Sequence, residues 1–277
     1  MIELFNRSSQ LCSKLITETY STSFTLGIRT LHRKLHTPIY SIYGFVRLGD
    51  EIVDTFHDFD KKTLFERFER DTFLAIEEKI STNPILHAFQ LVVNEYNINL
   101  EYIHAFLESM KMDLEISDYS SDKYEEYIYG SAEVVGLMCL KVFCGGNEQK
   151  FSELEEGAKR LGSAFQKVNF LRDIKSDYFD RGRMYFPNVI YQNFSSQEKE
   201  NIEIDIENDF KLAYEAITNL PEEAKFGVLL AFNYYECLFE KIKKASVPTI
   251  QNKRIRVPNF QKITLLTGSI LKQKLIG

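Results

Sequence analysis

Residues 166–187 read QKVNFLRDIKSDYFDRGRMYFP, and the first dozen decide the fold. At about 100° per residue, Gln166, Asn169, Asp173 and Asp177 fall at roughly 0°, 300°, 340° and 20°, an arc of about 80° on one helix. Val168 and Leu171 take the opposite side, while Lys167 and Arg172 point elsewhere. The wet face of an ordinary amphipathic helix would give such a stripe too. Wet faces mix signs and carry Lys and Glu, however, whereas this one holds only amides and Asp, both poor helix formers. A polar stripe of that kind suits a helix lining an internal space.

Outward from this stretch, helical periodicity recurs and strand signals are scarce. The pattern predicts a first helix over about 3–20, then a turn-like segment, STSFTLGIRTLHRKLHT. A long helix opened by Pro38 should reach about Thr55, because proline fits a first turn. Further helices are expected in DKKTLFERFERDTFLAIEEKI, after the Asn83–Pro84 start, and in LEYIHAFLESMKMDLE, SDKYEEYIYGSAEVVGLMCLKVFCG and FSELEEGAKRLGSAFQKVNFLRDIKSDYFD. A loop at RGRMYFPNVIYQN precedes two more long helices, and a short one is expected after Pro258. No repeat or low-complexity linker interrupts the series. The expectation is an all-α fold, one domain over 1–277, with helices around a central cavity.

Composition agrees. The 277 residues are 44% apolar with only 13 Gly and 6 Pro, enough for a sizeable core and long elements. A net charge of −6 and pI near 5.6 argue against nucleic acid as a partner. Fifteen Tyr and 22 Phe without Trp fit either core packing or an aromatic pocket for a greasy or cationic ligand. Cys12, Cys139, Cys144 and Cys237 lack CxxC or zinc-like spacing and read as reduced thiols of a cytoplasmic protein. The N-terminus lacks a signal-peptide pattern, and no run approaches the ~18 apolar residues of a membrane span. The expected location is the cytoplasm, with at most peripheral contact with a membrane.

YGFVRLGDEIVD, residues 43–54, places Asp50 and Asp54 one turn apart, on a face shared with Tyr43 and Arg47. Asp173 and Asp177 repeat that offset. Either pair alone is a weak signal, since like charges at this spacing cost only a few tenths of a kcal/mol on a solvated helix. Brought together across a cavity at ~6 Å, carboxylates would repel by about 3 kcal/mol per pair at an effective dielectric near 20. Such a site requires a counter-charge. Hard divalent cations suit Asp-only clusters, Mg²⁺ first and Mn²⁺ as its substitute, bound through carboxylates together with substrate phosphates. Arg47, Arg172, Arg183 and the Lys253–Arg254–Arg256 cluster could serve a diphosphate; for Lys253 and Arg256 ordinary surface charge is the preferred reading.

With these motifs in view, the chain resembles the squalene/phytoene synthase family of head-to-head prenyl transferases, bacterial phytoene synthases above all. The resemblance runs through YSTSF (Tyr20, Ser21, Ser23, Phe24), PIYSIYGFVRLGDEIVD, YIYGSAEVVGLM, the second aspartate motif with its trailing G-R-x-Y-F-P, LLAFNYYECLFEKI and RIRVP. It implies an all-helical isoprenoid synthase fold. It implies that Asp50, Asp54, Asp173 and Asp177 hold Mg²⁺ against diphosphates, with Asn169 helping and Gln166 in support. Ser21, Arg47, Tyr127, Arg172, Tyr234 and Arg254 would contact diphosphate or guide the leaving group; Ser23 belongs to the substrate-binding set. Phe24, Tyr43, Val135 and Leu137 would border the hydrocarbon channel.

Two positions depart from the family pattern. Glu51 replaces a common Asp and lies off the Asp50/Asp54 face, so it should change little. Glu133 replaces a common Gly, and a carboxylate against the cavity would be costly unless paired with Lys141 or an Arg, or turned away. The implied reaction joins two geranylgeranyl diphosphates into phytoene through a cyclopropylcarbinyl diphosphate, without a nicotinamide cofactor. The alternatives are a squalene, hydroxysqualene or dehydrosqualene synthase using farnesyl diphosphate, a non-catalytic scaffold, and a metal-dependent helical phosphohydrolase. The scaffold reading would be marked by loss of a metal-binding Asp, and all four are present. The phosphohydrolase would need His beside Asp, and the His57–Asp58 pair lacks partners.

Overall fold

The computed structural model describes residues 1–115 and 118–258, and twelve α-helices run through them. They are α1 Ile2–Tyr20, α2 Thr22–Thr30, α3 Arg33–Thr55, α4 Lys61–Glu78, α5 Pro84–Tyr96, α6 Leu100–Glu115, α7 Ser121–Ile128, α8 Val134–Cys144, α9 Glu148–Arg181, α10 Ser196–Thr218, α11 Glu222–Lys244 and α12 Val247–Asn252. Extended pairing among the described residues is limited to one bridge between Asp118 and Met184.

Local chemistry sets many of the boundaries. The Asn83 side chain accepts from the amides of Ile85 and Leu86 and starts α5, with Pro84 in the first turn. Ser195 and Glu198 close a capping box on α10. Two starts differ from the sequence expectation. STSFTLGIRT is helical, because Ser21 caps α2 and buries Thr25, Gly27 and Ile28, so packing overrides the weak propensity of its Ser, Thr and Gly. Pro38 lies inside α3, which begins at Arg33 under a His32 cap; the helix gives up one backbone hydrogen bond there. The helix expected after Pro258 lies outside the described residues.

Two apolar cores flank a cavity. In one, Phe45 of α3 stacks on Phe89 of α5 at 3.9 Å and meets Phe106 of α6 at 5.2 Å. The other gathers α9, α10 and α11 around residues such as Leu171, Phe210 and Phe239. Helix α8 divides its sides between them: Val134, Met138 and Val142 join the first core, Leu137, Leu140 and Cys144 the second. A π-helical turn at Tyr129–Glu133 joins α7 to α8. The combined 24-residue run Ser121–Cys144 is long and apolar enough to span a membrane by composition, unlike the sequence expectation, but half of its apolar window is buried here and it reads as a core helix. Close approach fixes α9 against the π turn: a Cβ on Gly162 would lie 2.6 Å from the Ala132 carbonyl oxygen.

Candidate active site

The cavity between the cores measures about 550 Å³, within the usual range for small-molecule sites. Its polar end is built from helix repeats. On α3, Tyr43, Arg47 and Asp50 follow at i, i+4 and i+7; on α9, Gln166, Asn169 and Arg172 follow at three-residue steps, and all six line the space. Ser21, Ser23, Phe24, Tyr127, Val135, Tyr234 and Arg254 line it as well. The structure therefore brings most sequence-selected residues to one cavity. Arg172 reaches the cavity although the helical wheel set it off the stripe, because its long side chain swings back to Asp173.

Leu137 does not belong there. It is fully buried in the α9–α10–α11 core. Val135 and Leu137 stand two residues apart, about 200° on a helix, so both cannot face one cavity. Glu133 also stands outside the lining, near Arg160 and not Lys141, which pairs with Glu148. Burial, only partly offset by Arg160, pushes Glu133 up to about 7. Glu51 is not idle: it takes an ion pair from Arg47.

Asp54, Asp173 and Asp177, unlike Asp50, do not line the cavity and are paired with arginines. Asp173 accepts bidentate pairs from Arg172 (3.0 and 2.5 Å) and from Arg254 (2.7 and 3.2 Å). Asp177 pairs with Arg181 at 2.7 Å, and Asp54 with Arg181 at 3.3 Å and Arg183 at 2.8 Å. Asp50 has no ion-pair partner among the described residues. Burial, then the neighbouring Asp54, pushes it up to about 7; burial, then Asp173, does the same to Asp177. These carboxylates lack full compensation, and an all-oxygen donor set of this kind fits a hard divalent cation. Among the described residues no three His, Cys, Asp or Glu groups already converge at ligand distance. Arg47 adds a complementary signal. Its guanidinium lies 4.4 Å from the Tyr20 ring centroid, and its buried Nε has no acceptor. A cavity-lining donor without an acceptor suits an anionic ligand.

Several residues escaped the sequence reading. Tyr235 stacks on Phe165 at 3.8 Å and donates to Asn169 at 3.3 Å, holding that amide in place. Gln166 donates to Ser131 at 3.3 Å. Gly182, at φ +68°, ends α9 with a left-handed cap in which the Arg183 amide bonds the Asp177 carbonyl at 2.8 Å. That turn delivers Arg183 into the interior, where it bridges Asp54 and Asp113. Asp113 is a buried carboxylate on α6 that accepts from Tyr127 (2.8 Å), Tyr119 and Tyr185 (3.1 Å each). Its signal was an acid at the i+7 position of buried Phe106, on the apolar stripe of α6.

Residues 17–261 match the family model described as squalene/phytoene synthase. The chain is 24% identical over 258 residues to the 4,4'-diapophytoene synthase of Staphylococcus haemolyticus, covering 85% of this chain and 87% of that one. It is likewise 24% identical to the phytoene synthase of Arthrospira platensis, over 97% of this chain and 94% of the other. Its fold superposes on a crystal structure of a dehydrosqualene synthase with a TM-score of 0.82 at 22% identity, covering 97% and 98% of the two chains. A squalene synthase from Alicyclobacillus acidocaldarius gives 0.74 at 18% identity, over 88% and 95%.

Proposed function

This chain belongs to the squalene/phytoene synthase family, and from that premise we propose that it condenses two geranylgeranyl diphosphates head to head into phytoene, releasing both diphosphates by way of a cyclopropylcarbinyl diphosphate. The observation that carries the choice of substrate is the cavity's length. Lining residues on α9 run from Arg172 to Leu154, 18 residues or about 27 Å of helix. They are polar at one end and apolar at the other. An isoprene unit adds four C–C bonds of ~1.5 Å, about 5 Å when extended. A twenty-carbon chain then needs about 20 Å and a fifteen-carbon chain about 15 Å. The apolar part of the strip, Leu154 to Phe165, is 11 residues or about 17 Å, so the longer chain fills it completely with its diphosphate-bearing unit at the polar end. Each additional buried CH₂ contributes about 0.8 kcal/mol.

Asp50, Asp54, Asp173 and Asp177, with Asn169, would hold Mg²⁺, which supplies Lewis-acid neutralisation of the departing diphosphate. Arg47, Arg172 and Arg254 bind and orient that group, the unpartnered Nε of Arg47 giving it a donor. Ser21 and Tyr234 lie at the same end. Phe24, Tyr43 and Tyr235, with ring centroids 5.6 and 6.4 Å from Phe24, form an aromatic collar that excludes water and stabilises developing positive charge. Proton loss ends the sequence without a reductant. The protein acts in the cytoplasm and meets the membrane only at its surface, when the hydrocarbon leaves.

The fifteen-carbon substrate is the competing reading, favoured by the likeness to a 4,4'-diapophytoene synthase. Incubation of the purified protein with Mg²⁺ and each prenyl diphosphate, with and without NADPH, separates the two by the mass of the hydrocarbon. Forty-carbon phytoene without NADPH is the expected product. Buried Ile28 lines the cavity, and Ile28→Phe should shift preference toward farnesyl diphosphate, since overpacking costs ~1–3 kcal/mol. Thirty-carbon products alone from the wild type would establish the competing reading.

A further inference from the structure

Asp113 has four side-chain partners among the described residues, and the reaction as described makes no use of it. Its carboxylate collects the three phenols already named and Arg183 Nε at 3.4 Å, while Arg183 Nη2 donates to its backbone carbonyl at 2.8 Å. Stability alone does not account for this. A buried ionic network replaced by apolar residues of similar volume is often no less stable. The proton count is informative. An ionised carboxylate only accepts, and each tyrosine has one proton to give. Tyr119, Tyr127 and Tyr185 therefore all donate to Asp113, and Tyr185 in turn accepts from Arg183 at 3.3 Å. Of the three, Tyr127 lines the cavity. A phenol that donates to a carboxylate gains electron density on its oxygen and ring.

We propose that Asp113 is a positioning residue for catalysis: it holds Tyr127 against the cavity wall as an electron-rich phenol facing the allylic cation, and through Arg183 it ties that phenol to Asp54. Burial, opposed chiefly by Arg183, leaves the Asp113 carboxyl near 6, so it is mostly ionised at neutral pH. Tyr119 and Tyr185 enclose the pair, with ring centroids 5.2 and 5.0 Å from Tyr127. The inference rests on the prenyl-transfer reading, because it needs a cation in the cavity.

The test compares Asp113→Asn, Tyr127→Phe, their double variant and Tyr119→Phe for kcat, KM and melting temperature. Asp113→Asn and Tyr127→Phe should each lower kcat at least about tenfold with KM within about threefold. The double variant should be no slower than the slower single one, because the two residues act as a unit. Tyr119→Phe removes the same kind of hydrogen bond from the same carboxylate but lies off the cavity, and should keep its kcat. Replacing Tyr127 with 3,5-difluorotyrosine preserves shape and hydroxyl while drawing electrons from the ring. It should slow kcat too, and it keeps the idea exposed if Asp113→Asn fails to fold. Multiplicative losses, equal losses in Tyr119→Phe and Tyr127→Phe, or full kcat in the fluorinated enzyme would overturn the proposal. A wild type that turns over neither prenyl diphosphate would instead bring down the prenyl-transfer reading, and this inference with it.

Discussion

Helix α9 presents charge on two sides, and the two sides are built differently. Away from the cavity, Lys167 reaches Asp205 at 2.5 Å and Asp209 at 2.7 Å, while Ser163 and Arg160 meet Asp209 at 2.8 and 3.4 Å. There Lys167 faces Asp205 and Asp209, and Arg160 faces Asp209 and Glu156, so each of these three carboxylates has a cation beside it. Toward the cavity, Asp177 shares Arg181 with Asp54, Asp50 has no ion-pair partner among the described residues, and two of the four carboxyls are pushed up to about 7. Matched charge locks α9 to α10. Unmatched charge marks the side where another charged species is to arrive.

The largest effects should come from exchanging the two roles. Asp50→Asn is expected to lower turnover by on the order of 10³-fold while melting at or above the wild-type temperature, because it deletes an uncompensated carboxylate. Asp209→Asn is expected to do the opposite, costing about 1–3 kcal/mol because Lys167 keeps only Asp205 and Ser163 and Arg160 lose a charged acceptor, and leaving turnover per folded molecule unchanged. Denaturant titration beside steady-state kinetics checks both. An active Asp50→Asn, or an inactive Asp209→Asn with native stability, would break the contrast.

A smaller effect should follow from Arg47→Lys. A lysine keeps the charge but loses the fork and the Nε donor, so a rate loss of about 10–100-fold with an unchanged circular dichroism spectrum is expected. Unchanged turnover would remove Arg47 from the unmatched side.

The smallest concerns pH. Asp50 and Asp177 titrate higher in the folded chain than the usual carboxylate value, so between about pH 4 and 7 the native state holds protons that the unfolded chain has lost. Stability from these groups is fully present at acid pH and is lost as pH rises through 7. The metal-free protein should therefore melt a few degrees lower at pH 8 than at pH 6, with a shallower dependence in Asp50→Asn. Mg²⁺ with inorganic diphosphate should flatten the wild-type slope, as scanning calorimetry would show.

Much of this was readable in the chain because it is local. Asn83–Pro84 announces α5, and the spacing of Gln166, Asn169, Asp173 and Asp177 announces the cavity face of α9. Helix α2 was hidden because its Ser, Thr and Gly favour turns when alone; packing against α3 and α11 decides its state. The Asp113 cluster was hidden for another reason. Its partners come from α7, from residue 119 just before it and from residue 185 after α9, and nothing in the spacing of those segments announces their meeting. Leu137 was misplaced because a motif is contiguous in sequence while a helix face is not. The need for counter-charge was foreseen, but Arg172, Arg183 and Arg254, assigned from the sequence to a diphosphate, meet part of it from within the chain, and Arg181 was not named.

The tight seating of Gly162 on the Ala132 carbonyl sets a limit on how descendants of this sequence can diverge. That stretch of wall is backbone against backbone, and no side-chain exchange can enlarge or narrow it without parting two helices. Gly27 on the opposite wall is not so confined, since a Cβ there would find its nearest neighbours at 3.8 and 3.9 Å. Inheritance can therefore revise the bore of the cavity from α2 while α9 remains as it is. A change of chain-length preference would leave its record in the sequence around Gly27 and Ile28, and the acidic end could pass through that change intact.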